Sequence, residues 1–353
     1  MRLSTLGLLL SGVVATKQHN GGFIDTHIHA LTPSFISAIE AGGGDSSGLL
    51  FPNWSPELAV SSLDSAGSSL GILSVSAPGV SIAGIGQQAR SLARSINQEL
   101  AQYSTNPKFK PRLGFFGTLP DWRDINGTLA ELDFLFADQK LCSGIIIFSS
   151  YSVLLPGDQT FRPIWTKLQQ YKALVLLHPT LFNVTPPRSG GLPPYFIDFP
   201  LATTRAATDP VFNGILRDYP DVDIILSHAG GTLPYLASRI EGAMLSPAAR
   251  NVTNLTLDQV KQYLARFYQG IALSTRNTQL GGLLYFADPS HILFGTDHPY
   301  PAQEALDAGL RQYYRFVASN SRGQKLAPKV LRRNAVDLLN KHAQKGRKFE
   351  SCR

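Results

Sequence analysis

Phe23-Ile24-Asp25-Thr26-His27-Ile28-His29 is a short apolar run that ends in two histidines. If this run is a β-strand, His27 and His29 point to the same face, because side chains two residues apart on a strand share a face. Two imidazoles so placed can hold one metal ion together. An H-x-H pair also occurs in ordinary turns, so the rest of the sequence has to decide between a metal site and a turn.

Seven further apolar runs follow along the chain. They are Gly71–Ser76, Arg112–Leu119, Gly144–Phe148, Ala173–His178, Val222–His228, Gly270–Ser274 and His291–Thr296. Such runs, rich in Ile, Leu, Val and Phe and nearly free of charge, are typical of parallel strands buried on both faces. Between them lie segments with helical character. These include Ile85–Tyr103, Leu129–Asp138, Pro163–Tyr171, Asp209–Tyr219, Leu257–Phe267 and Pro328–His342. Eight strands alternating with helices predict an α/β chain folded as a closed (β/α)8 TIM barrel.

The alternative architecture is an open doubly wound sheet, which needs a glycine-rich phosphate turn after an early strand. Gly84-Ile85-Gly86 lacks the third glycine of that turn, so a dinucleotide site is not predicted. Gly42–Pro56 and Pro186–Pro200 are predicted to be long loops, and long loops on a barrel often carry function. The predicted organisation is one barrel domain over residues 16–345, followed by a basic tail at 346–353.

Composition limits the classes of function. The chain has 353 residues, 43% of them hydrophobic, which is enough for a large core. Its net charge of +7 is concentrated at the C-terminus, where a solvated helix end explains it, and no nucleic-acid motif is present. With only Cys142 and Cys352, a disulfide framework and a thiolate zinc site are excluded, and whether these two cysteines pair is left open.

The N-terminus resembles a short secretory signal. Arg2 precedes an apolar run from Leu3 to Ala15, which predicts a signal peptide over residues 1–15 and a secreted or secretory-pathway protein. The alternative is an apolar arm that packs on the barrel of a cytoplasmic protein. No later segment is predicted to span a membrane. Five N-x-S/T triplets would be glycosylation acceptors on the secretory route. They begin at Asn53, Asn126, Asn183, Asn251 and Asn254.

Polar residues stand where four of the apolar runs end: His27 and His29, then His178, His228 and Asp297. In a parallel barrel all strands end at one mouth, where active sites lie, so these residues are predicted to converge. Four imidazoles and one carboxylate suit a catalytic divalent metal. Each histidine taken alone could be an ordinary hydrogen-bonded core residue. That interpretation would require four of the eight histidines to lie at strand ends by chance.

Several motifs resemble the amidohydrolase-related decarboxylases, which include aminocarboxymuconate-semialdehyde decarboxylase and decarboxylases of aromatic acids. The matching stretches are Phe23–His29, Leu176-Leu177-His178-Pro179, Ser227–Pro234 with Arg239, and Phe294-Gly295-Thr296-Asp297-His298-Pro299-Tyr300. The resemblance extends from about Phe23 to Asn340. It implies non-oxidative decarboxylation of a salicylate-type aromatic acid, with 6-methylsalicylate, converted to m-cresol and carbon dioxide, as the first candidate.

The resemblance also implies roles for residues. His27, His29, His178 and Asp297 would bind one divalent metal, Zn²⁺ in the first place and Mn²⁺ as the alternative. His228 would lie beside the metal as a proton carrier or base, and either His228 or Asp297 would protonate the substrate.

Two further roles concern the substrate. Arg239 would bind the substrate carboxylate in a neighbouring subunit, which implies a homodimer. The alternative is that Arg239 forms an ion pair on a helix surface. Tyr300 would line the substrate pocket, or else belong to the core.

Two-metal amidohydrolases bridge their metals with a modified lysine at the end of the fourth strand. The corresponding stretch here, Ser143–Ser150, has no lysine, which favours a single metal. Two competing classes stay open. One is a metal-dependent hydrolase of a lactone or amide in the same superfamily. The other is a non-catalytic binding protein on a barrel scaffold.

Overall fold

The computed structural model describes residues 21–181, 186–247, 252–344 and 348–349, and within them the predicted eight-strand pattern is confirmed. The strands are β1 Phe23–His29, β2 Ser68–Ser74, β3 Leu113–Phe115, β4 Ile145–Phe148, β5 Leu174–His178, β6 Asp223–Leu226, β7 Tyr268–Gly270 and β8 Ile292–Leu293. The seventh lies earlier than predicted. Gln269 and Gly270 pair with β8, and the chain then turns at Leu273, whose φ is 54°.

The strands form a closed barrel. All paired neighbours are parallel, in the order β1-β2-β3 and β4-β5-β6-β7-β8. A parallel bridge between Gly117 and Ile145 joins the two groups. On the other side, the Thr26 amide donates to the Phe294 carbonyl at 3.0 Å, which closes β8 onto β1. This closure excludes the open doubly wound sheet.

Helices surround the barrel. They are α1 Pro33–Ala41, α2 Pro56–Ala66, α3 Gln87–Thr105, α4 Ile125–Asp133, α5 Arg162–Tyr171, α6 Tyr195–Phe212, α7 Ile215–Asp218, α8 Leu233–Ala243, α9 Leu257–Leu264, α10 Asn277–Phe286, α11 Gln303–Ser319 and α12 Pro328–Lys341. Local sequence sets many of their ends. In α2, Ser55 caps the Leu58 amide, Pro56 occupies the first turn, and Gly67 ends the helix at φ 71°.

Helix α6 corrects two predictions. The loop predicted over Pro186–Pro200 ends earlier, because the helix starts at Tyr195, and the helix predicted from Asp209 starts 14 residues too late. Pro200 and Pro210 lie inside α6, although an interior proline typically costs about 3 kcal/mol. Burial of apolar side chains such as Phe199 and Val211 against the barrel outweighs that cost.

The predicted loop Gly42–Pro56 is confirmed up to the start of α2. It lies over the barrel mouth: Phe51 packs edge-on against Phe35 and against Tyr300, with ring centroids 5.9 and 6.5 Å apart. Ser46 donates a hydrogen bond of 3.0 Å to the carbonyl of Leu181, in the segment after β5. The loops after β1 and β5 therefore meet above the ends of the strands.

Several predictions fall wholly or mostly outside the described residues. They are the signal peptide 1–15, most of the basic tail 346–353, Cys352, and the triplets at Asn183 and Asn251. Cys142 is buried. The predicted domain limits at 16 and 345 also lie outside the described residues and stay predictions. Among the described helices, none is both long and apolar enough to cross a bilayer.

Candidate metal centre

The barrel brings the five predicted polar residues to one mouth. His27 and His29 lie on β1, His178 ends β5, His228 follows β6, and Asp297 follows β8. One donor atom from each of His27, His178, His228 and Asp297 lies within 4.8 Å of all the others. The cluster is secluded, since the side chains of Asp297 and His228 are only 8% and 11% exposed.

His29 lies next to this cluster and is in contact with two of its members. Its Nε2 atom lies 3.2 Å from Nε2 of His27 and 3.1 Å from Oδ1 of Asp297. The same carboxylate oxygen lies 2.9 Å from Nε2 of His27, and Oδ2 lies 3.7 Å from Nε2 of His228. All five residues thus point their donor atoms toward a common centre. Which four of them bind a metal stays a prediction.

Hydrogen bonds at the far side of two imidazoles orient them. Nδ1 of His178 is 2.8 Å from the carbonyl oxygen of Pro179, and because a carbonyl only accepts, this nitrogen carries the proton. Nδ1 of His29 lies 3.3 Å from the hydroxyl of Ser74, which also reaches the Ile28 carbonyl. Both contacts favour presenting an unprotonated Nε2 to the centre, as metal-binding histidines do.

The electrostatics give the protonation states that a metal needs. Burial lowers the pKa of His27 to about 4 and that of His178 well below its usual range, so both are neutral near pH 7. Burial alone would raise the pKa of Asp297, but the charge interaction with His27 and hydrogen bonds with His228 and His27 hold it well below the usual range. Neutral imidazoles around a carboxylate form a donor set that fits a divalent cation.

Two of these residues have unusual backbone conformations, which direct their side chains toward the centre of the cluster. His228 has φ 53° and Asp297 has φ 65°, in the left-handed region that residues other than glycine rarely occupy. Ala229 follows with φ 55°, and Gly230 and Gly231 continue the turn with φ 74° and 64°. Such strain collects at functional sites, where the surrounding structure enforces it. No local sequence pattern indicated it at His228 or Asp297.

A buried carboxylate beneath the cluster was also not singled out by the sequence. Asp25 lies two residues before His27 and is fully buried. It accepts hydrogen bonds from the His27 amide at 3.0 Å and from the hydroxyl of Thr296 at 2.6 Å. Burial raises the pKa of Asp25 to about 7, against the opposing effect of these hydrogen bonds. The only available signal was an acidic residue inside an otherwise apolar strand.

The two predicted substrate contacts lie in different surroundings. The Tyr300 ring stands edge-on to His29 at 5.4 Å, so Tyr300 borders the cluster. Arg239 lies on α8 with its side chain exposed, and in the described part of the chain it has no ion-pair partner. The alternative of a helix-surface ion pair for Arg239 therefore finds no support among these residues.

Aromatic rings form walls around the imidazoles. Phe148 and Phe199 stand edge-on to His178, with centroids 6.2 and 6.1 Å away. Phe51 contacts Tyr300 from the loop above. A metal-binding centre beside aromatic walls suits a small, flat, anionic ligand, since the walls favour an aromatic ring and the centre favours its charge.

A closed parallel barrel with an imidazole–carboxylate cluster at its mouth defines a barrel of the metal-dependent amidohydrolase type. The model of the amidohydrolase family matches residues 24–341. The chain belongs to this family, in its decarboxylase branch.

Two relatives and one solved structure illustrate the branch. The chain is 37% identical to a 6-methylsalicylic acid decarboxylase of Penicillium expansum, over 80% of this chain and 86% of the relative. It is 34% identical to the corresponding protein of Aspergillus aculeatus, over 90% and 95%. The 5-carboxyvanillate decarboxylase of Novosphingobium aromaticivorans, solved with manganese and a nitrobenzoic acid, superposes with a TM-score of 0.73 at 18% identity, over 91% and 97%.

Proposed function

We propose that this chain decarboxylates a salicylate-type aromatic acid without an oxidant, and that 6-methylsalicylate is converted to m-cresol and carbon dioxide. The observation that carries the proposal is the cluster of His27, His178, His228 and Asp297 at the barrel mouth, where three of the four residues are buried. The choice of substrate is supported by the two relatives named above, which share a third or more of their aligned residues with this chain.

The reaction requires one proton and no electrons from outside. A proton is added to the ring carbon that bears the carboxylate, the bond from that carbon to the carboxylate breaks, and carbon dioxide leaves as the ring regains aromaticity. A bound divalent metal would supply a positive charge that orients the carboxylate and its neighbouring phenolic oxygen. The aromatic walls of Phe148, Phe199 and Phe51 would hold the ring and exclude water.

Two residues of the cluster are candidates for the proton donor. Asp297 and His228 face each other, with Oδ2 and Nε2 3.7 Å apart, so a proton held by one can pass to the other with little movement. His228 is the more exposed of the two, which suits it to take up a proton from solvent. We propose that these two residues form the proton route, with either one next to the substrate.

We propose one bound divalent cation, Zn²⁺ or Mn²⁺, because imidazole and carboxylate donors accept both. Element analysis of purified protein by mass spectrometry identifies the metal, with His27→Ala as the control. One equivalent of metal in the native chain and a clear loss in the variant are expected. Equal metal content in both would refute the site.

Activity is tested by incubating the metal-loaded protein with 6-methylsalicylate and measuring carbon dioxide and m-cresol. A panel of substituted salicylates, run in parallel, defines the substrate. A lactone and an amide of similar size serve as controls for the competing hydrolase class. Hydrolysis of these controls, with no carbon dioxide from any aromatic acid, would replace the decarboxylase proposal.

We propose that the chain acts as a homodimer in which Arg239 of each copy contacts the substrate carboxylate in the other. The exposed, unpaired Arg239 in the described chain and the 87% exposed Tyr235 on the same helix support this. The test mixes two inactive variants, Arg239→Ala and His27→Ala, after dissociation. A mixed dimer regains one intact site, so activity should return. No recovery, despite mixed dimers visible by native mass spectrometry, contradicts the arrangement.

We also propose that residues 1–15 are cleaved and that the chain enters the secretory route. Asn53, Asn126 and Asn254 are exposed, as glycan acceptors must be. N-terminal sequencing of protein from a eukaryotic host, together with its mass before and after glycosidase treatment, tests this. An intact, unglycosylated N-terminus would favour the cytoplasmic alternative.

A further inference from the structure

A buried carboxylate next to the metal centre joins the first strand to the segment that follows the last strand. Asp25 on β1 is 0% exposed and accepts three hydrogen bonds. Oδ1 receives the amides of His27 at 3.0 Å and Thr296 at 3.3 Å, and Oδ2 receives the hydroxyl of Thr296 at 2.6 Å. Thr296 lies 271 positions later in the sequence and immediately precedes Asp297. We refer to Asp25 and Thr296 together as the Asp25–Thr296 clamp.

The clamp reaches the backbone of both metal-centre residues at the seam of the barrel. It holds the His27 amide directly, and it holds the residue before Asp297 by two bonds. Thr296 also accepts a hydrogen bond of 3.2 Å from the amide of His298, so both sides of Asp297 are tied to one hydroxyl. Asp297 itself has the unfavourable φ of 65°, which persists only where neighbouring contacts enforce it.

We propose that Asp25 is a positioning residue that sets the spacing between the donor atoms of His27 and Asp297. Nε2 of His27 and Oδ1 of Asp297 are 2.9 Å apart, although His27 lies on β1 and Asp297 follows β8, at the other end of the barrel sequence. A carboxylate suits this place because it only accepts, and all three groups that reach it donate. The inference rests on the proposed metal-dependent function, because it concerns the geometry of that metal centre.

The chain offers a matched control at the same seam. Thr26, next to Asp25, is 1% exposed, and its hydroxyl donates to the carbonyl of Phe294 at 3.0 Å. This bond also joins β1 to β8, but it does not involve Asp25 or Thr296. Thr26→Val therefore removes a buried seam hydrogen bond of similar kind while leaving the clamp in place. It separates loss of barrel stability from loss of metal positioning.

The experiment measures Mn²⁺ binding to metal-free protein by calorimetry for the native chain and for Asp25→Ala, Asp25→Asn, Thr296→Val, Thr296→Ser and Thr26→Val. Loss of a residue that supports a metal ligand typically weakens affinity about 10–100-fold, and we expect this for Asp25→Ala and Thr296→Val. Thr296→Ser, which keeps the hydroxyl, should bind as the native chain does. Thr26→Val should lower the melting temperature without changing Mn²⁺ affinity.

A second readout reports geometry without activity. The visible absorption of Co²⁺-loaded protein depends on the arrangement of its ligands, so it should change in Asp25→Asn and stay unchanged in Thr26→Val. Asp25→Asn is nearly isosteric and keeps the test valid if the alanine variant fails to fold. Native-like Mn²⁺ affinity and Co²⁺ spectra in both Asp25→Asn and Thr296→Val would overturn the inference. Absence of metal binding in the native chain would instead overturn the proposed function.

Discussion

Asp297 is the residue on which most of the centre depends. Its carboxylate lies within 3.1 Å of two imidazoles and 3.7 Å from a third. The same residue is a proposed metal ligand and one of two proposed proton donors. Asp297 is only 6% exposed, and the surrounding histidines keep its carboxyl group ionised by lowering its pKa.

The first prediction concerns Asp297→Asn. The amide keeps the size of the side chain but loses the negative charge, and with it the ability to take up a proton and pass it on. We expect turnover to fall below detection, while an aromatic acid still binds, as measured by carbon dioxide release and by calorimetry. Asp307→Asn, the same change on the outer helix α11, should leave both quantities unaffected. Substantial turnover in Asp297→Asn would exclude both proposed roles of Asp297.

At the scale of elements, the turn after β6 positions His228. Gly231 is required there, because a Cβ would collide with the backbone carbonyl of Pro200 in α6 and the residue has φ 64°. Thr204 of α6 also holds the turn against this helix, because its hydroxyl accepts a hydrogen bond of 2.8 Å from the amide of Thr232. The turn therefore depends on α6, the helix that the sequence pattern placed incorrectly.

The second prediction compares alanine substitutions at two glycines, one in this turn and one in a helix. Gly231→Ala should destabilise the protein by about 1–3 kcal/mol, because it adds a steric clash in a left-handed conformation, and it should reduce kcat by displacing His228. Gly281→Ala, in the middle of α10 with open space around its Cβ position, should stabilise by roughly 0.5–1 kcal/mol. Urea unfolding measures both changes, and equal effects of the two variants would contradict this view of the turn.

The third prediction concerns the attachment of α12 and the residue after it to the start of β6. Burial opposes ionisation of Asp223, but hydrogen bonds from His342 and Lys341, at 2.8 and 2.6 Å, outweigh it and lower its pKa. A depressed folded-state pKa stabilises the protein above the unfolded-state pKa, and this stabilisation is lost as pH falls through the folded-state pKa. Stability should therefore fall below about pH 4.

Asp223→Asn isolates this contribution. The variant should be less stable at pH 7 by about 1–3 kcal/mol, since it breaks charge-assisted hydrogen bonds, and its stability should decline less steeply between pH 5 and 3. Denaturant midpoints across that pH range, measured for both proteins, provide the comparison. If stability declines equally steeply between pH 5 and 3 in both proteins, other carboxylates dominate the acid sensitivity.

At the scale of the whole molecule, the metal centre joins the beginning and the end of the barrel. Its side chains come from β1, β5 and the turns after β6 and β8, and residues 27 and 297 are in direct contact. A cation held between them would add a further link to the hydrogen bonds and packing that already join the two ends of the barrel. Binding energy released only in the folded state then adds to global stability.

The fourth prediction follows from this arrangement. Removing the metal with a chelator should abolish activity and lower the melting temperature, and adding Zn²⁺ or Mn²⁺ should restore both. At a free metal concentration 100 times Kd, the stabilisation is about 2.7 kcal/mol. His27→Ala, measured by the same thermal scans, should melt at a temperature independent of metal. If the melting temperature of the native chain is the same with and without the chelator, the metal does not bridge the strands.

The sequence determined the barrel and the positions of its chemistry, because both follow from local patterns. Apolar runs mark buried parallel strands, and a polar residue at the end of such a run lies at the mouth wherever the strand sits in the barrel. This reasoning located His27, His29, His178, His228 and Asp297 without any knowledge of contacts. The tertiary structure decided what depends on residues distant in sequence. Asp25 accepts hydrogen bonds from Thr296, 271 positions away, and α6 runs through two prolines because the barrel buries its side chains. The left-handed backbone at His228 and Asp297 is likewise enforced by neighbours that no local pattern contains.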